Sequence, residues 1–428
     1  MGTDFAPIHA FVREHEGAAK RTARLAVAHP EGCTHLTLHL GGAGDGQYIR
    51  LMAKTALWLF GGCSLLTDDE QVFRCIQEAY CPGGARAFDR DFMSGIYRRP
   101  FSVELCRELP PESRPRRTLT AQGRGCRVGI DLGGSDRKAA AVIDGETVYT
   151  EEVVWQPKSH ADPRYHYEHI TSALRSAAAH LPRVDAVGFS TAGVVIGGEI
   201  RRSSLFEAVS AADFDGDILR RAAQEVFGDI PCAVCNDGDV AALAGSVLLE
   251  KKNLLGIAMG TSQAAGYIEA AGQITGRLNE LAFAPVDLRP DAPVDPWSQD
   301  RGVGERYFSQ EGVIRLAGQA GLAPKGETPA EKLLWVQNLA QRGDERALWA
   351  FSELGRLLGQ TLPWYRRLMG CENVLLLGRV ISGVGGEALA RSCRGELERS
   401  GEEIQLLLPD GSFRRIGQAA AAALLENL

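Results

Sequence analysis

An aspartate followed closely by a glycine turn marks the first place in this chain where chemistry could be done. In the stretch 126–144, CRVGIDLGGSDRKAAAVID, Asp131 stands at the end of an apolar run and Gly133-Gly134 follow it. Apolar residues resume at 139–143, so the spacing predicts two strands joined as a hairpin. Glycines at its tip allow backbone angles closed to other residues and let an anion approach the amides. A carboxylate in the same space suits a hydrated metal ion that accompanies a phosphate. The plainer role for Asp131 is a turn aspartate that caps the hairpin. A second hairpin of this kind recurs: 254–259 is apolar, Gly260-Thr261-Ser262 is a tight turn, and 263–269 returns as a strand. Between the two hairpins lies Asn236-Asp237, after the apolar run 232–235 and directly before a helix over 238–250. A lone carboxylate there can take the proton of a hydroxyl that attacks a phosphate. A helix N-cap aspartate has the same local context.

The elements that must position these residues follow from hydrophobic periodicity. After the first hairpin come a third strand over 149–155, a helix over 165–180, a strand over 185–190, a helix over 211–227, and the strand and helix that flank Asp237. This βββαβαβα order is that of one lobe of the actin-like ATPase (ribonuclease H-like) fold. The later half repeats the strand–glycine turn–strand pattern. Helices are expected over 301–320, 328–341 and 344–369, a strand over 373–377, a glycine-rich helix start at SGVGGEAL (382–389) and a last helix over 416–425. The expected fold is therefore α/β and two-lobed. The N-lobe spans 126–250 and the C-lobe 251–428, with the C-terminal helix returning to the N-lobe. A phosphate hairpin in each lobe predicts ATP in a cleft between them.

Residues 1–106 form an extra N-terminal α/β region of unknown role. Leu36, Leu38 and Leu40 alternate with polar residues, as in a strand, and GGAGDG (41–46) precedes an apolar helix over 48–60. No G-K-[ST] follows and the glycines miss G-x-G-x-x-G, so a plain turn is favoured over a nucleotide loop. Thr67 and Glu70 have the spacing of a capping box at the start of a helix over 67–80. Residues 107–125 read as a linker rich in proline, glycine and arginine. Arg114, Arg116 and Arg117 are read there as solvated charges rather than as contacts to a polyanion.

Composition narrows the class. The chain is 45% hydrophobic and 24% charged, with a formal net charge of −7. No broad basic field argues for nucleic acid. No signal core or bilayer-length apolar run is present, so no membrane partner and a cytoplasmic protein are expected. The ten cysteines are mostly scattered singly and are read as reduced thiols. Cys232-x-x-Cys235 lies within a strand-like run, which favours a structural role over a redox one.

With these residues in hand, the stretch from about 126 to 428 resembles the ROK family of sugar kinases and related repressors. DLGGSDRKAAAV is similar to that family's first phosphate motif, NDGDVAALAG to its catalytic Asn-Asp segment, and GIAMGTSQAAGYI to its second phosphate motif. SGVGGEAL resembles its adenosine-binding Gly-Gly. The resemblance implies ATP-dependent transfer of a phosphoryl group to a hydroxyl of a hexose or related sugar. Asp237 would be the general base, beside Asn236. Asp131 would hold Mg²⁺ through water. Gly133, Gly134, Ser135, Gly260, Thr261 and Ser262 would cradle the phosphates, and Gly385 and Gly386 would lie against adenine. A homodimer is expected. The sugar end departs from the family. LNELAF (278–283) keeps a glutamate, Glu280, but Ala282 and Phe283 replace a glycine and a histidine. The family's zinc-binding cysteines are missing from PDAPVDPWSQDRGVGERYFS, so no zinc is expected. Glu305 falls where the family has a second sugar-binding glutamate, and Ser204 where it has an asparagine. Both glutamates could equally be solvated surface charges. Asp136 adds a negative charge near the phosphates that Mg²⁺ or Lys138 would have to offset. The alternative function is a ROK-like regulator or sugar sensor that has lost catalysis.

Overall fold

The computed structural model describes residues 4–30, 32–113, 119–121, 123–409 and 411–427. The expected linker arginines Arg114, Arg116 and Arg117 lie outside the described residues. The chain forms two compact units, neither of them contiguous in sequence. One comprises 115–256, 266–276 and 409–428; the other comprises 1–114, 257–265 and 277–408.

The first unit is built on a five-stranded sheet. Its order is Cys232–Asn236, Ala186–Thr191, Cys126–Leu132, Asp136–Ile143, Glu146–Val154. The three central-to-edge strands from Cys126 to Val154 run antiparallel, and the other two pair in parallel. Helices Pro163–Ala178 and Ile218–Phe227 bury Ile170, Leu174, Leu219 and Ala222 with Val128, Ile130 and Phe189 in one core. A C-terminal helical segment, Gly411–Ala423, kinked at Gly417, places Ala419, Ala420 and Ala423 with Ala140 and Val142 in another. Two glycines permit that contact. A Cβ on Gly129 would lie 1.9 Å from the Ala419 carbonyl oxygen, and one on Gly188 would lie 1.7 Å from that of Ala422. The chain then ends in the strand Leu425–Asn427, paired with Leu119–Ala121.

The second unit holds two structural layers. Its N-terminal part is a four-stranded sheet ordered Gly32–Leu40, Arg21–His29, Ser64–Thr67, Ser102–Leu105. The helix Asp45–Phe60 is apolar on nearly every side and buries twelve of its side chains, from Tyr48 to Phe60. Of a second sheet, ordered Gln263–Ile268, Leu254–Met259, Asn373–Leu377, Gln405–Leu407, this unit holds residues 263–265, 257–259, 373–377 and 405–407. Helices Gln310–Gln319, Pro329–Gln341, Glu345–Met369 and Gly383–Ser400 complete it.

Several expected elements are shorter. The helix expected over 67–80 is Glu70–Tyr80, because Thr67 belongs to a strand and Asp69 caps the helix through the Val72 amide. The helix expected over 211–227 begins at Ile218, after a turn in which Ser210 bonds Asp213. That over 301–320 begins at Gln310, capped by Ser309. The 107–125 stretch is partly packed: Leu109 is buried with Ala26, Cys33 and Leu66, and Ser113 exchanges backbone hydrogen bonds with Cys33. All ten cysteines are free thiols. Among the described residues no helix is long and apolar enough to cross a membrane.

Candidate active site

In the five-stranded unit, strand register brings the first set of groups together. Asp131 is opposite Lys138 across the hairpin and opposite Ser190 on the parallel neighbour. The Ser190 hydroxyl donates to Asp131 Oδ1 at 2.6 Å, and Lys138 Nζ lies 3.8 Å from Asp131 Oδ2. Burial raises the Asp131 carboxyl above its ordinary range, against the pull of Ser190 and Lys138. Lys138 also pairs with Asp136, so the extra acidic charge at the hairpin tip has a cation beside it. Sequence reasoning misses Ser190, yet a signal exists. VGID (128–131) and VGFS (187–190) align residue for residue in the register.

Asp237 opens the helix Asp237–Leu249, but it is not the cap. Asn236 is: its Oδ1 accepts the Gly238 amide at 2.8 Å and its Nδ2 donates to the Gly193 carbonyl at 2.7 Å. The capping alternative for Asp237 is thereby removed. Its Oδ1 accepts its neighbour's amide, from Gly238, at 2.9 Å. Burial, then the charge of Asp131, push the Asp237 carboxyl up to about 7. A carboxylate tuned to that value is matched to proton abstraction near neutral pH.

The two glycine turns close in the same way. The Gly133 amide donates to the Asp136 carbonyl and the Gly260 amide to the Ser262 carbonyl, each at 3.0 Å. Both amides close their own turns, so the phosphate-binding role expected for them does not extend to their N–H groups. Gly134, Ser135, Thr261 and Ser262 are exposed at the tips. Trp155 holds the first tip, donating from Nε1 to the Gly133 carbonyl at 2.8 Å.

In the other unit, Glu305 meets the second hairpin. The Gln263 amide donates to Glu305 Oε2 at 2.9 Å, and the Gln310 amide to the Gly260 carbonyl at 2.9 Å. Burial pushes the Glu305 carboxyl up to about 7, the Gln263 bond opposing it. Glu305 is thus a tied, half-buried group rather than a solvated surface charge. Gln263 itself is 3% exposed, and its side-chain amide lies beside the buried Tyr365 hydroxyl. Glu280 is half-buried, at the start of the short turn Leu281–Phe283.

Ser204 is exposed, whereas its neighbour Ser203 is the ordered one, donating to the Ala192 carbonyl at 2.6 Å. Gly385 and Gly386 lie inside the helix Gly383–Ser400, and both are buried. A Cβ on Gly385 would be 2.6 Å from the Phe351 ring and one on Gly386 1.9 Å from the Ile381 carbonyl oxygen. Packing within the unit accounts for their type without an adenine ring. Among the described residues no group of three or more His, Cys, Asp or Glu could hold a metal ion.

The sheet order, the paired hairpins and the helix that opens at Asp237 define a two-lobed actin-like ATPase fold. Solved structures agree. A ROK hexokinase from Thermus thermophilus superposes with a TM-score of 0.55 and 24% identity, over 70% of this chain and 97% of its own. A ROK glucokinase from Streptomyces griseus, in complex with glucose and AMPPNP, gives 0.53 and 22%, over 70% and 98%. In sequence, the N-acetylmannosamine kinase of Yersinia pseudotuberculosis is 23% identical over 272 residues, 60% of this chain and 83% of that protein. No protein-family model matches. The chain carries the fold of the ROK-family sugar kinases and resembles them in sequence. A ROK-family transcriptional regulator shares the fold as well, with a TM-score of 0.55 and 18% identity.

Proposed function

We propose that the protein is a carbohydrate kinase that transfers a phosphoryl group from ATP to a hydroxyl of a hexose or related sugar. The observation that carries this reading is Asp237. It stands one residue past a cap that Asn236 supplies, and burial beside Asp131 raises its carboxyl to about 7. On this reading Asp237 takes the sugar hydroxyl's proton as the oxygen attacks the γ-phosphate. Asn236 fixes the helix start on which Asp237 sits. Glu280 and Glu305 are the candidate sugar ligands of the other unit, each offering hydrogen bonds to hydroxyls. Exposed Gly134, Ser135, Thr261 and Ser262 are the candidate phosphate contacts.

Nucleotide and metal follow from the same reading. The glucokinase of similar fold was solved with an ATP analogue, and the tips of both hairpins present small residues suited to phosphates. Asp131 offers one carboxylate with Lys138 3.8 Å away. One carboxylate suits Mg²⁺, which keeps most of its waters and takes phosphate oxygens as further ligands. When bound, Mg²⁺ would neutralise phosphate charge; Asp131 would hold it through water, oriented by Ser190.

The test is phosphoryl transfer from Mg·ATP to a panel of hexoses and N-acetylhexosamines, glucose and N-acetylmannosamine included. One or more sugars should be phosphorylated, and Asp237→Asn should bind ATP with unchanged affinity while losing turnover. A wild-type protein that phosphorylates no sugar and binds no ATP by calorimetry contradicts the reading.

A further inference from the structure

The N-terminal region packs on the very segment that carries Glu280 and Glu305, within one compact unit. The helix Asp45–Phe60 ends against it. The last turn of a helix leaves carbonyls without intrahelical donors. Here Asn279 N–H donates to the Leu59 carbonyl and Glu280 N–H to the Trp58 carbonyl, both at 2.9 Å. The Trp58 ring lies 4.7 Å from that of Phe283, and Trp297 lies 5.0 Å from Phe283 and 4.9 Å from Phe88.

A buried charge cluster fixes the next part of the segment. Lys54, with 1% of its side chain exposed, donates to Asp89 Oδ1 and Oδ2 at 2.8 and 3.0 Å and to Asp300 Oδ2 at 2.7 Å. These contacts match the three donors of an ammonium group. Trp58 Nε1 donates to Asp89 Oδ1 at 3.0 Å, and Arg86 pairs with Asp300. At a third point, the Ala6 amide donates to Asp287 Oδ1 and the Leu288 amide to the Ala6 carbonyl, both at 3.0 Å. Asp287 Oδ2 in turn accepts the Tyr307 hydroxyl at 2.5 Å, two residues after Glu305.

Between Asn279 and Ser309 the regular structure amounts to two three-residue 3₁₀ turns and two isolated bridges, Pro285–Val303 and Val294–Arg301. A long segment without strands or α-helices owes its position to what it packs on. Side chains that bind a substrate need to be held to within roughly 0.5 Å. We propose that the N-terminal region is the brace of this segment, and that Lys54 is a positioning residue that sets the places of Glu280 and Glu305. The consequence for sugar binding rests on the kinase reading; the bracing itself rests on the contacts alone.

The test uses the full chain carrying Lys54→Met, with Lys54→Arg and Asp300→Asn beside it. Two readouts are followed. Amide hydrogen exchange at Asn279 and Glu280 should quicken roughly tenfold in Lys54→Met, because the segment opens locally more often. The KM for the best hexose of the panel should rise roughly tenfold, with the KM for ATP unchanged. Lys54→Arg, which keeps the charge, should recover part of both. Should Lys54→Met fail to fold, the milder Asp300→Asn carries the same two readouts. Folded variants with wild-type exchange at 279–280 and wild-type hexose KM overturn the proposal. A wild-type protein that phosphorylates nothing sinks the kinase reading instead, and the exchange rates then decide the brace by themselves.

Discussion

The two units hold their charged groups by opposite means. Asp131 sits at a strand end, and its partner Ser190 is 59 residues away on a hydrogen-bonded neighbour. Asp237 occupies the first turn of a helix, fixed by the residue before it. Glu280 and Glu305 sit on a segment with almost no regular structure, held by contacts such as Lys54–Asp300 across 246 residues. The first arrangement is set by strand register and helix capping, within regular elements. The second is set by tertiary contacts with a separate part of the chain. The solved kinases superpose over nearly all of their own lengths but only 70% of this one. A substantial part of this chain therefore has no counterpart in them.

The contrast between the units is tested most severely at Asp237. Asp237→Asn should lower kcat by roughly 10²–10⁴-fold, the range for a lost general base, with ATP affinity intact by calorimetry. Next comes Trp58, fully buried and in contact with Asp89 and Phe283. Trp58→Ala should destabilise the protein by about 3–5 kcal/mol, read as a fall in the denaturant midpoint. It should also raise the hexose KM, with the KM for ATP unchanged.

A smaller effect concerns pH. The Asp237 carboxyl is raised from 3.8 to about 7 on folding. A raised carboxyl leaves stability fully present below its unfolded value and removes it as pH rises through the folded value. Wild-type stability should therefore decline between about pH 4 and 7 by an amount of order 1 kcal/mol, allowing for partial solvent screening. Asp237→Asn should flatten that decline, and so be inactive yet more stable than wild type at pH 8. Urea titrations at pH 5 and pH 8 check it. The smallest effect separates the brace from the rest of the N-terminal region. Asp69→Ala removes an N-cap in that region, away from the segment contacts. It should cost about 1 kcal/mol and leave the hexose KM unchanged.

These residues also show what was legible in the sequence. Asp131, Asp237 and the two glycine turns were readable because alternating apolar runs fix strands, and strand ends fix where such residues point. The helix starts moved at caps and turns: Asp69 prevailed over Thr67, Ser309 caps the helix expected from 301, and the turn at Ser210–Asp213 shortened the helix before Phe227. At 385–386 a close contact with Phe351 and Ile381 demands the same residue type as a nucleotide does, so the two roles share one sequence signal. The bracing was invisible, since nothing periodic links Lys54 to Asp300 or Trp58 to Phe283. Phe283 read as a lost histidine; in the structure it is the partner of an N-terminal tryptophan.

Whether Asp237 is the base of a sugar kinase is decided by the pH dependence of kcat/KM. With Mg·ATP and the best hexose of the panel, the wild-type rate should rise with pH as Asp237 ionises and level off above about 7. Asp237→Asn should lie far below it with no such rise. An Asp237→Asn protein that keeps the wild-type rate and profile would contradict this role for Asp237.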